Sequence, residues 1–388
     1  MYHVFVVNDT TFKYHLEYLF AGTCAVKNPD FLEDSTYQNP SPKNKTEGVT
    51  PKQELSICGM IADVSRISPG DKVIFYLTQN SKHEGMFFGT FTIKEKAFFD
   101  SNKDNYLSKL LKLNLNFRVL LSPDKVYAKG ISEREALDSL TGICHPSEMC
   151  WSLIYRKLKA KRGCTMITNY EAERLVTLIK KANAGKVLKS NCFTYNNKSN
   201  EIVSCKKCNS YKGTKSGVDI KDRMLVKAKR KNKYEAHLQA YVLQHIDEQP
   251  LKDLLNINTN ISLWIGNEVS CGVGMQSIDI MTQQCTKKDV YINVIELKCV
   301  KAYDDILYKQ LPKYEDWILG YIAPLYRKAK VHIRPIIIAK SFRQEKEKKH
   351  FVDNCKSVPM RVVGNSIIES ICYIEYDIGE DIKFTKLV

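Results

Sequence analysis

The chain has 388 residues, of which 44% are hydrophobic and 26% are charged, and this composition predicts an ordinary globular protein with two or three domains. It has no apolar run long enough to cross a bilayer, and its beginning lacks a signal-peptide pattern, so we expect a cytoplasmic protein with no membrane partner. The net charge of +16 favours a polyanion as partner. Its 13 cysteines, an odd number, favour free thiols in a reducing compartment over a disulfide framework.

The first 185 residues predict one compact α+β domain. A strand at residues 3–7 precedes an amphipathic helix, for which Asp9, Thr10 and Thr11 are capping candidates. Residues 28–50 are polar and rich in turn-forming residues, which predicts a long surface loop. Three more strands and a closing helix follow, at residues 67–78, 85–93, 116–128 and 170–183.

This order of elements resembles the PUA-like superfamily, particularly its EVE and YTH branch. The resemblance is carried by the opening VFVV, by PGDKVIFYLT followed by GMFFGTFTI, by FRV, and by RG with ITNYEAERL before the last helix. It implies a small β-barrel with helices that holds a flipped or modified base in an aromatic pocket. Candidates for that pocket are Asn8, Tyr76, Phe88, Phe99, Tyr106 and Trp151. The alternative for each aromatic ring is that it fills the barrel interior.

Between residues 180 and 233 the chain becomes strongly basic, with 16 lysines and arginines against three acids. We predict a basic linker at residues 186–229, between a recognition domain (residues 1–185) and a second domain (residues 230–388). Such a segment can neutralise the phosphates of a nucleic acid whatever their sequence, although a merely solubilising linker is the alternative. The candidates for backbone contact are Lys206, Lys207, Lys212, Lys229, Arg230 and Lys231.

Three cysteines lie inside the basic segment. Cys205 and Cys208 form a C-x-x-C pair, and Cys192 precedes them, so that the three resemble half of a zinc ribbon. A structural Zn²⁺ would need a fourth ligand, for which Cys164, Cys271 and His237 are candidates. Chance clustering in a cysteine-rich chain is the alternative.

Residues 277–298, SIDIMTQQCTKKDVYINVIELK, predict two antiparallel strands joined by a polar turn. Side chains alternate across a strand, so Glu296 and Lys298 share one face while Leu297 turns into the core. Strand pairing would bring Asp279 to the same point. Two carboxylates beside an ammonium group suit Mg²⁺ (or Mn²⁺) and an attacking water. The alternative is a solvated strand face.

This pattern resembles that of PD-(D/E)XK nucleases, and the similarity covers roughly residues 230–378. Upstream, YEAHLQAYVLQHI resembles the opening helix of that superfamily, where Glu235 matches a third carboxylate. Downstream, Gln310 and Tyr314 match the Gln-x-x-x-Tyr of the archaeal mismatch-endonuclease and recB-like branch, on one helical face. Pro312 between them must lie in a first turn or kink the helix. The resemblance implies catalytic roles for Asp279, Glu296, Lys298, Glu235, Gln310 and Tyr314.

Together these features predict an α/β and α+β protein, with a PUA/EVE-like small barrel followed by a mixed-sheet, restriction-endonuclease-like fold flanked by helices. The expected function is Mg²⁺-dependent DNA endonuclease activity, of the restriction type and dependent on base modification. One such site cuts one strand, so cleavage of both strands of a duplex predicts a homodimer. The alternatives are a mismatch or branched-DNA repair endonuclease, and a non-catalytic nucleic-acid-binding protein that keeps the nuclease fold as a scaffold.

Overall fold

The computed structural model describes residues 1–23, 51–100, 106–138, 163–230, 232–271 and 276–388. Trp151, Lys231 and the predicted loop at residues 28–50 lie outside these ranges. The described residues form two compact units, which divide between Asp219 and Ile220. No helix in the described ranges combines the length and apolar character needed to cross a bilayer.

The first unit is built on a mixed eight-stranded sheet that curls into a half-barrel, with strand order β2-β6-β4-β3-β1-β8 and with β5 on β6 and β7 on β4. Its strands are β1 (Tyr2–Val7), β2 (Phe20–Thr23), β3 (Lys72–Leu77), β4 (Met86–Ile93), β5 (Phe98–Phe99), β6 (Phe117–Pro123), β7 (Ile131–Ser132) and β8 (Cys164–Ile167). Its helices are α1 (Asp9–Glu17), α2 (Pro51–Ser65), α3 (Ser108–Leu111), α4 (Glu133–Asp138) and α5 (Asn169–Ala182). Strands β1 and β3 are parallel, which makes the sheet mixed.

Several of the residues predicted to line a base pocket have structural roles. Phe88 is fully buried against Phe12 and Tyr195, with ring centroids 5.1 and 6.0 Å away. Tyr76 and Phe99 are also buried, because inward-facing strand positions of the curled sheet become its core. Asn8 caps α1, since its side chain accepts the backbone N–H of Thr11 at 2.9 Å.

Tyr106, another pocket candidate, contacts other aromatic residues of the first unit. Its ring packs edge-on against Tyr211, with centroids 5.3 Å apart, and its hydroxyl accepts the backbone N–H of Lys212 at 2.7 Å. These contacts tie the segment around residue 211 to the sheet. The geometry thus gives Tyr76, Phe88, Phe99 and Tyr106 packing roles in place of an open aromatic wall.

Residues 186–219, predicted as part of a linker, are folded onto the first unit. Strands β9 (Phe193–Asn196) and β10 (Glu201–Ser204) form an antiparallel hairpin, and Phe193, Tyr195 and Ile202 are buried in the hydrophobic core. Further along, the backbone of Ser216 pairs with that of Phe99. Apolar side chains spaced two residues apart explain this packing, and the high charge of the segment hides them. The division between units therefore lies later than the predicted linker start.

The second unit contains another mixed eight-stranded sheet, with order β11-β12-β13-β14-β16-β15, and with β17 pairing both β14 and β18. Its strands are β11 (Leu263–Ser270), β12 (Ser277–Cys285), β13 (Asp289–Lys298), β14 (Lys330–Lys340), β15 (Arg361–Val363), β16 (Ser366–Ile368), β17 (Cys372–Ile378) and β18 (Ile382–Lys386). β14 is parallel to β13, β16 and β17. Its Ile-rich run reflects this central, buried position.

The helices of the second unit are α6 (Lys221–Lys229), α7 (Glu235–Gln244), α8 (Leu251–Leu254), α9 (Leu311–Tyr321) and α10 (Glu345–Ser357). A π-helical turn, Ile306–Gln310, runs directly into α9, and a 3₁₀ turn, Ala323–Tyr326, follows it. Pro312 is the second residue of α9, directly after the π-helical turn, so its missing N–H falls where the backbone pairing changes from π to α. The sequence required this proline to lie in a first turn or to kink the helix, and it lies in the first turn of α9.

Candidate active site

Strand register brings Asp279 and Glu296 to one place. Ile280 of β12 pairs with Ile295 of β13 in an antiparallel ladder, so the next position on each strand places Asp279 opposite Glu296. Opposed residues of an antiparallel pair project from the same face of the sheet. The backbone N–H of Leu297 donates to Oδ2 of Asp279 at 2.8 Å, which holds that carboxylate against β13.

Glu296 is the centre of the cluster. Only 1% of it is exposed, and three side chains donate to its carboxylate. Lys298 Nζ and Gln310 Nε2 both reach Oε1, the latter at 2.6 Å. The hydroxyl of Tyr314 donates to Oε2 at 3.2 Å. The structure therefore gathers Asp279, Glu296, Lys298, Gln310 and Tyr314, which the sequence singled out from separate elements.

The π-helical turn explains how Gln310 reaches the cluster. A π-turn widens the helix by one residue, and such turns occur often at functional sites. Pro312 cannot donate a backbone hydrogen bond, so the chain leaves regular α-helical pairing just before it. Gln310 also donates to the Tyr314 hydroxyl at 2.9 Å, as expected for residues four apart on one helical face.

Glu235, the predicted third carboxylate, begins α7 at the edge of the same cluster. Its Oε2 accepts the backbone N–H of Cys299 at 3.3 Å, immediately after Lys298. Next to it, the buried hydroxyl of Tyr376 donates to the carbonyl of Lys298 at 3.1 Å. These contacts fix the end of β13, and hence the direction from which Lys298 approaches Glu296.

Two further residues belong to the site that the sequence analysis did not single out. Gln239 Nε2 donates to Glu268 Oε1 at 3.0 Å and to the Asp279 carbonyl at 2.9 Å. Glu268 lies opposite Asp279 on β11 and has a left-handed backbone, with φ +49°. A non-glycine residue in that region is strained, and such strain concentrates at functional sites. The spacing of Glu235 and Gln239, four residues apart on one helix, was the available signal for Gln239.

The carboxyl groups of the cluster are shifted electrostatically. Burial raises the pKa of Asp279 well above its ordinary value, and the charge of Glu296 raises it further. Burial also raises the pKa of Glu296, against the opposing effect of Lys298. Burial alone would lower the pKa of Lys298, but the charge of Glu296 and their hydrogen bond outweigh it and raise that pKa. When no metal ion is bound, the Asp279–Glu296 pair therefore retains a proton readily.

The cluster offers few metal ligands, but of the right kind. Within the described ranges no group of three or more His, Cys, Asp or Glu side chains is arranged around a common metal position. Asp279 and Glu296 supply two facing carboxylates, and Mg²⁺ commonly binds through one or two carboxylates while it retains several waters. The raised pKa values fit this chemistry, because a divalent cation would relieve the repulsion that now favours a bound proton. The donor set thus fits Mg²⁺ or Mn²⁺ held by Asp279 and Glu296.

Replacing Asp279 with Asn is expected to stabilise the metal-free protein at pH 8. The pKa of Asp279 is raised in the folded state, so folding takes up a proton, and the free energy of unfolding falls as the pH rises above about 4, the value of an unfolded aspartate. The neutral amide removes this penalty. In thermal unfolding scans, the advantage of Asp279→Asn should be large at pH 8 and shrink towards pH 5.

Mg²⁺ provides the second half of that test. A hundredfold excess over the dissociation constant should stabilise the wild type by about 2.7 kcal/mol and leave Asp279→Asn nearly unchanged. Asp253→Asn, at an exposed position of α8, is the matched control and should behave as wild type. An Asp279→Asn protein less stable than wild type at pH 8, or equally stabilised by Mg²⁺, would contradict the assignment.

The three cysteines proposed for zinc come together in a different form. Cys192 and Cys208 form a disulfide with Cα atoms 5.0 Å apart, and Cys205 has a free thiol. The backbone N–H of Cys205 donates to the Cys192 carbonyl at 3.0 Å, so the third sulfur-bearing residue is adjacent. Zinc binds thiolates, so ligation here would require the Cys192–Cys208 pair to be reduced. Most described cysteines are free, as the sequence favoured, and Cys192–Cys208 is a disulfide that it did not predict.

The basic residues of the predicted linker are divided between the two units. Lys206, Lys207 and Lys212 are exposed on the first unit, after the β9–β10 hairpin. Lys229 and Arg230 are exposed at the end of α6 in the second unit. The segment therefore contributes exposed basic residues to both units, where a basic linker between two domains was expected.

No family model matches the chain, and no curated protein matches it either. The function therefore has to be inferred from the geometry and chemistry of the cluster around Glu296.

Proposed function

We propose that the protein is a divalent-metal-dependent endonuclease that hydrolyses phosphodiester bonds in DNA, with its active site at Asp279, Glu296 and Lys298. The observation that supports it most is the buried carboxylate of Glu296, which faces Asp279 and is bound by Lys298, Gln310 and Tyr314. A purely structural role would not need two facing acids whose pKa values are both raised. Such pairs are costly unless a cation joins them.

Each residue has a specific part in this proposal. Asp279 and Glu296 would hold one Mg²⁺, with Glu235 as an outer ligand, and the ion when bound would supply a Lewis acid for the water and the leaving oxygen. Lys298 orients the attacking water and places a positive charge beside the phosphate. Gln310 and Tyr314 position the Glu296 carboxylate through direct hydrogen bonds. Gln239 and Glu268 hold the backbone at Asp279.

The restriction-type function remains part of the proposal. A positively charged chain with one unit that carries the acidic cluster and another with exposed lysines suits a protein that binds duplex DNA with one unit and cuts it with the other. Assembly as a homodimer is proposed because one such site cuts one strand of a duplex. Recognition of a modified base by the first unit is proposed from its sequence resemblance to PUA/EVE domains, although the aromatic candidates that the structure describes for that pocket pack within the unit.

Cleavage assays test this function directly. Methylated, unmethylated and mismatched duplexes are incubated with the protein in Mg²⁺, in Mn²⁺ and in EDTA, and the ends of any products are sequenced. Cleavage that requires metal and a modified base supports a modification-dependent restriction enzyme, whereas preference for mismatched duplexes would favour a repair nuclease. No cleavage of any substrate would favour the scaffold alternative.

A further inference from the structure

A cavity lies at the carboxyl ends of the parallel strands in the second unit. Strands β13, β14 and β17 run parallel and end close together, because Lys298 pairs with Ala339 and Lys340 pairs with Tyr376. A cleft of about 670 Å³ opens here and is lined by residues that follow these strands, including Cys299, Lys340 and Ser341. Ligands of open α/β sheets bind outside the carboxyl ends of parallel strands. The volume is within the range of small-ligand sites. We name it the carboxyl-end cleft.

The charge of the carboxyl-end cleft favours an anion. Four basic residues line it against two carboxylates, and the members are Lys233, Lys301, Lys340, Arg343, Glu347 and Asp377. Glu347 is already neutralised by Lys301, whose Nζ lies 2.7 Å from Oε1. Asp377 accepts a hydrogen bond from Ser341.

The remaining cations lack partners. Lys233, Lys340 and Arg343 make no side-chain hydrogen bond or ion pair with other residues of the described ranges. Asp377 offsets one of these three charges, so the cleft keeps a surplus of two positive charges, whose repulsion an anion would relieve. Helix α10 also begins here, after Gln344, whose side chain does not cap it, so its first N–H groups add donors at the same wall.

The carboxyl-end cleft adjoins the acidic cluster. Its wall contains Cys299, whose backbone N–H donates to Glu235, and Tyr234, which directly precedes Glu235. A polynucleotide strand carries one phosphate about every 3.4 Å along its helix axis, so a strand that crosses the acidic cluster would bring neighbouring phosphates to this wall. Tyr234 in this wall is buried and offers little ring surface to a base, so the cationic side chains and backbone donors of the cleft are the contacts that suit a phosphate.

We propose that the carboxyl-end cleft binds a phosphate of the nucleic-acid strand next to the phosphate that is cut, through Lys340 and Arg343. This inference rests on the proposed function, because it assumes that the strand passes Glu296 and Lys298. The cleft then fixes which phosphodiester bond reaches the carboxylates. It sets the position of the cut and strengthens binding, while the chemical step stays with Asp279 and Glu296.

The double variant Lys340→Gln/Arg343→Gln tests the cleft by direct binding. Affinity for a fluorescent duplex and for a single strand is measured by anisotropy in EDTA, across a range of salt concentrations. The expected result is about tenfold weaker binding and a salt slope smaller by about 1 per residue removed. The matched control is Lys287→Gln/Lys288→Gln, which removes the same charge at the exposed turn at the opposite end of β12 and β13. It should bind within about twofold of wild type and keep its slope within about 1 unit.

Two outcomes overturn the proposal. If Lys340→Gln/Arg343→Gln binds DNA as the control does, the cleft does not hold the strand. If thymidine 5′-monophosphate binds wild type tightly and loses binding in the double variant while duplex affinity is unchanged, the ligand is a free nucleotide. Inorganic phosphate, added to the complex of protein and labelled duplex, should displace the duplex only at high concentration.

Cleavage in Mg²⁺ separates the two proposals. At saturating DNA the double variant should shift the position of the cut or broaden it over several neighbouring bonds. Wild-type protein that binds through the cleft but cuts nothing would defeat the proposed hydrolysis and leave the cleft standing. If the protein cleaves DNA normally but binding does not depend on the cleft, the cleft proposal is lost and the proposed hydrolysis stands.

Discussion

Glu296→Gln should lower the rate of Mg²⁺-dependent DNA cleavage by about 10³-fold, which corresponds to a loss of about 4 kcal/mol of transition-state stabilisation. Glutamine has the same shape, so Gln310 and Tyr314 retain a neighbour of the right size, but the negative charge that holds the metal and Lys298 is gone. Single-turnover cleavage of a duplex that the wild type cuts measures this rate. Binding of the same duplex in EDTA should change by less than about threefold, since the mutation removes no contact to phosphate.

Glu315→Gln is the matched control for that experiment. Glu315 is also a buried glutamate with a raised pKa, caused first by burial, and it pairs with a single cation, Arg361. It lies beside Tyr314 in sequence, so any general damage to α9 should appear in this variant as well. The control should retain cleavage. A Glu296→Gln protein that cuts at the wild-type rate, or a Glu315→Gln protein that loses activity equally, would contradict an active site centred on Glu296.

The parts of the site that could be predicted from sequence depend on short periodicities. Glu296 and Lys298 share a face because a strand has a two-residue period, and Gln310 and Tyr314 share a face because a helix has a period near four. Asp279 required one more step, the antiparallel register, which the polar turn between the strands largely determines. These local rules do not need the rest of the fold.

The contacts that could not be predicted join elements distant in sequence. Glu268 joins the cluster because its own backbone is left-handed and because Gln239 of α7 donates a hydrogen bond to it. Neither feature has a local sequence signature. Pro312 made the end of the π-turn foreseeable, but not the turn itself. The carboxyl-end cleft likewise depends on which strands lie side by side in the sheet.

In the first unit, too, local features could be predicted from the sequence but long-range packing could not. Four of its eight strands, β1, β3, β4 and β6, were predicted from apolar runs. The runs alone do not tell which aromatic residues face inwards when the sheet curls. Phe88 and Tyr76 therefore became core residues. The β9–β10 hairpin was hidden for the opposite reason, because the many lysines around Phe193 and Tyr195 made the segment resemble a solvated linker. The overall charge of a segment does not reveal the few apolar side chains that determine whether it packs against a core.

Arg118→Met should destabilise the first unit by about 3–5 kcal/mol, the cost of removing one partner from a buried ion pair. Arg118 is completely buried, and its Nη1 donates to Asp100 Oδ2 at 2.8 Å and to the Tyr211 hydroxyl at 2.9 Å. The guanidinium also lies over the Phe20 ring, 5.2 Å from its centroid. Methionine fills similar space but takes the Arg118 charge away from the buried carboxylate of Asp100. Urea unfolding, followed by hydrogen–deuterium exchange at peptides of the first unit, measures the transition of this unit.

Arg134→Met is the control, since Arg134 pairs with Glu84 at 3.3 Å on the surface, where such pairs contribute less than about 1 kcal/mol. The double variant Arg118→Met/Asp100→Asn then identifies the cause. If the stranded charge of Asp100 is responsible, neutralising it should restore a large part of the loss, as expected when a buried pair is replaced as a whole. If the double variant is no more stable than Arg118→Met, the loss comes from the missing contacts to Phe20 and Tyr211, and the ion pair is not what stabilises this part of the sheet.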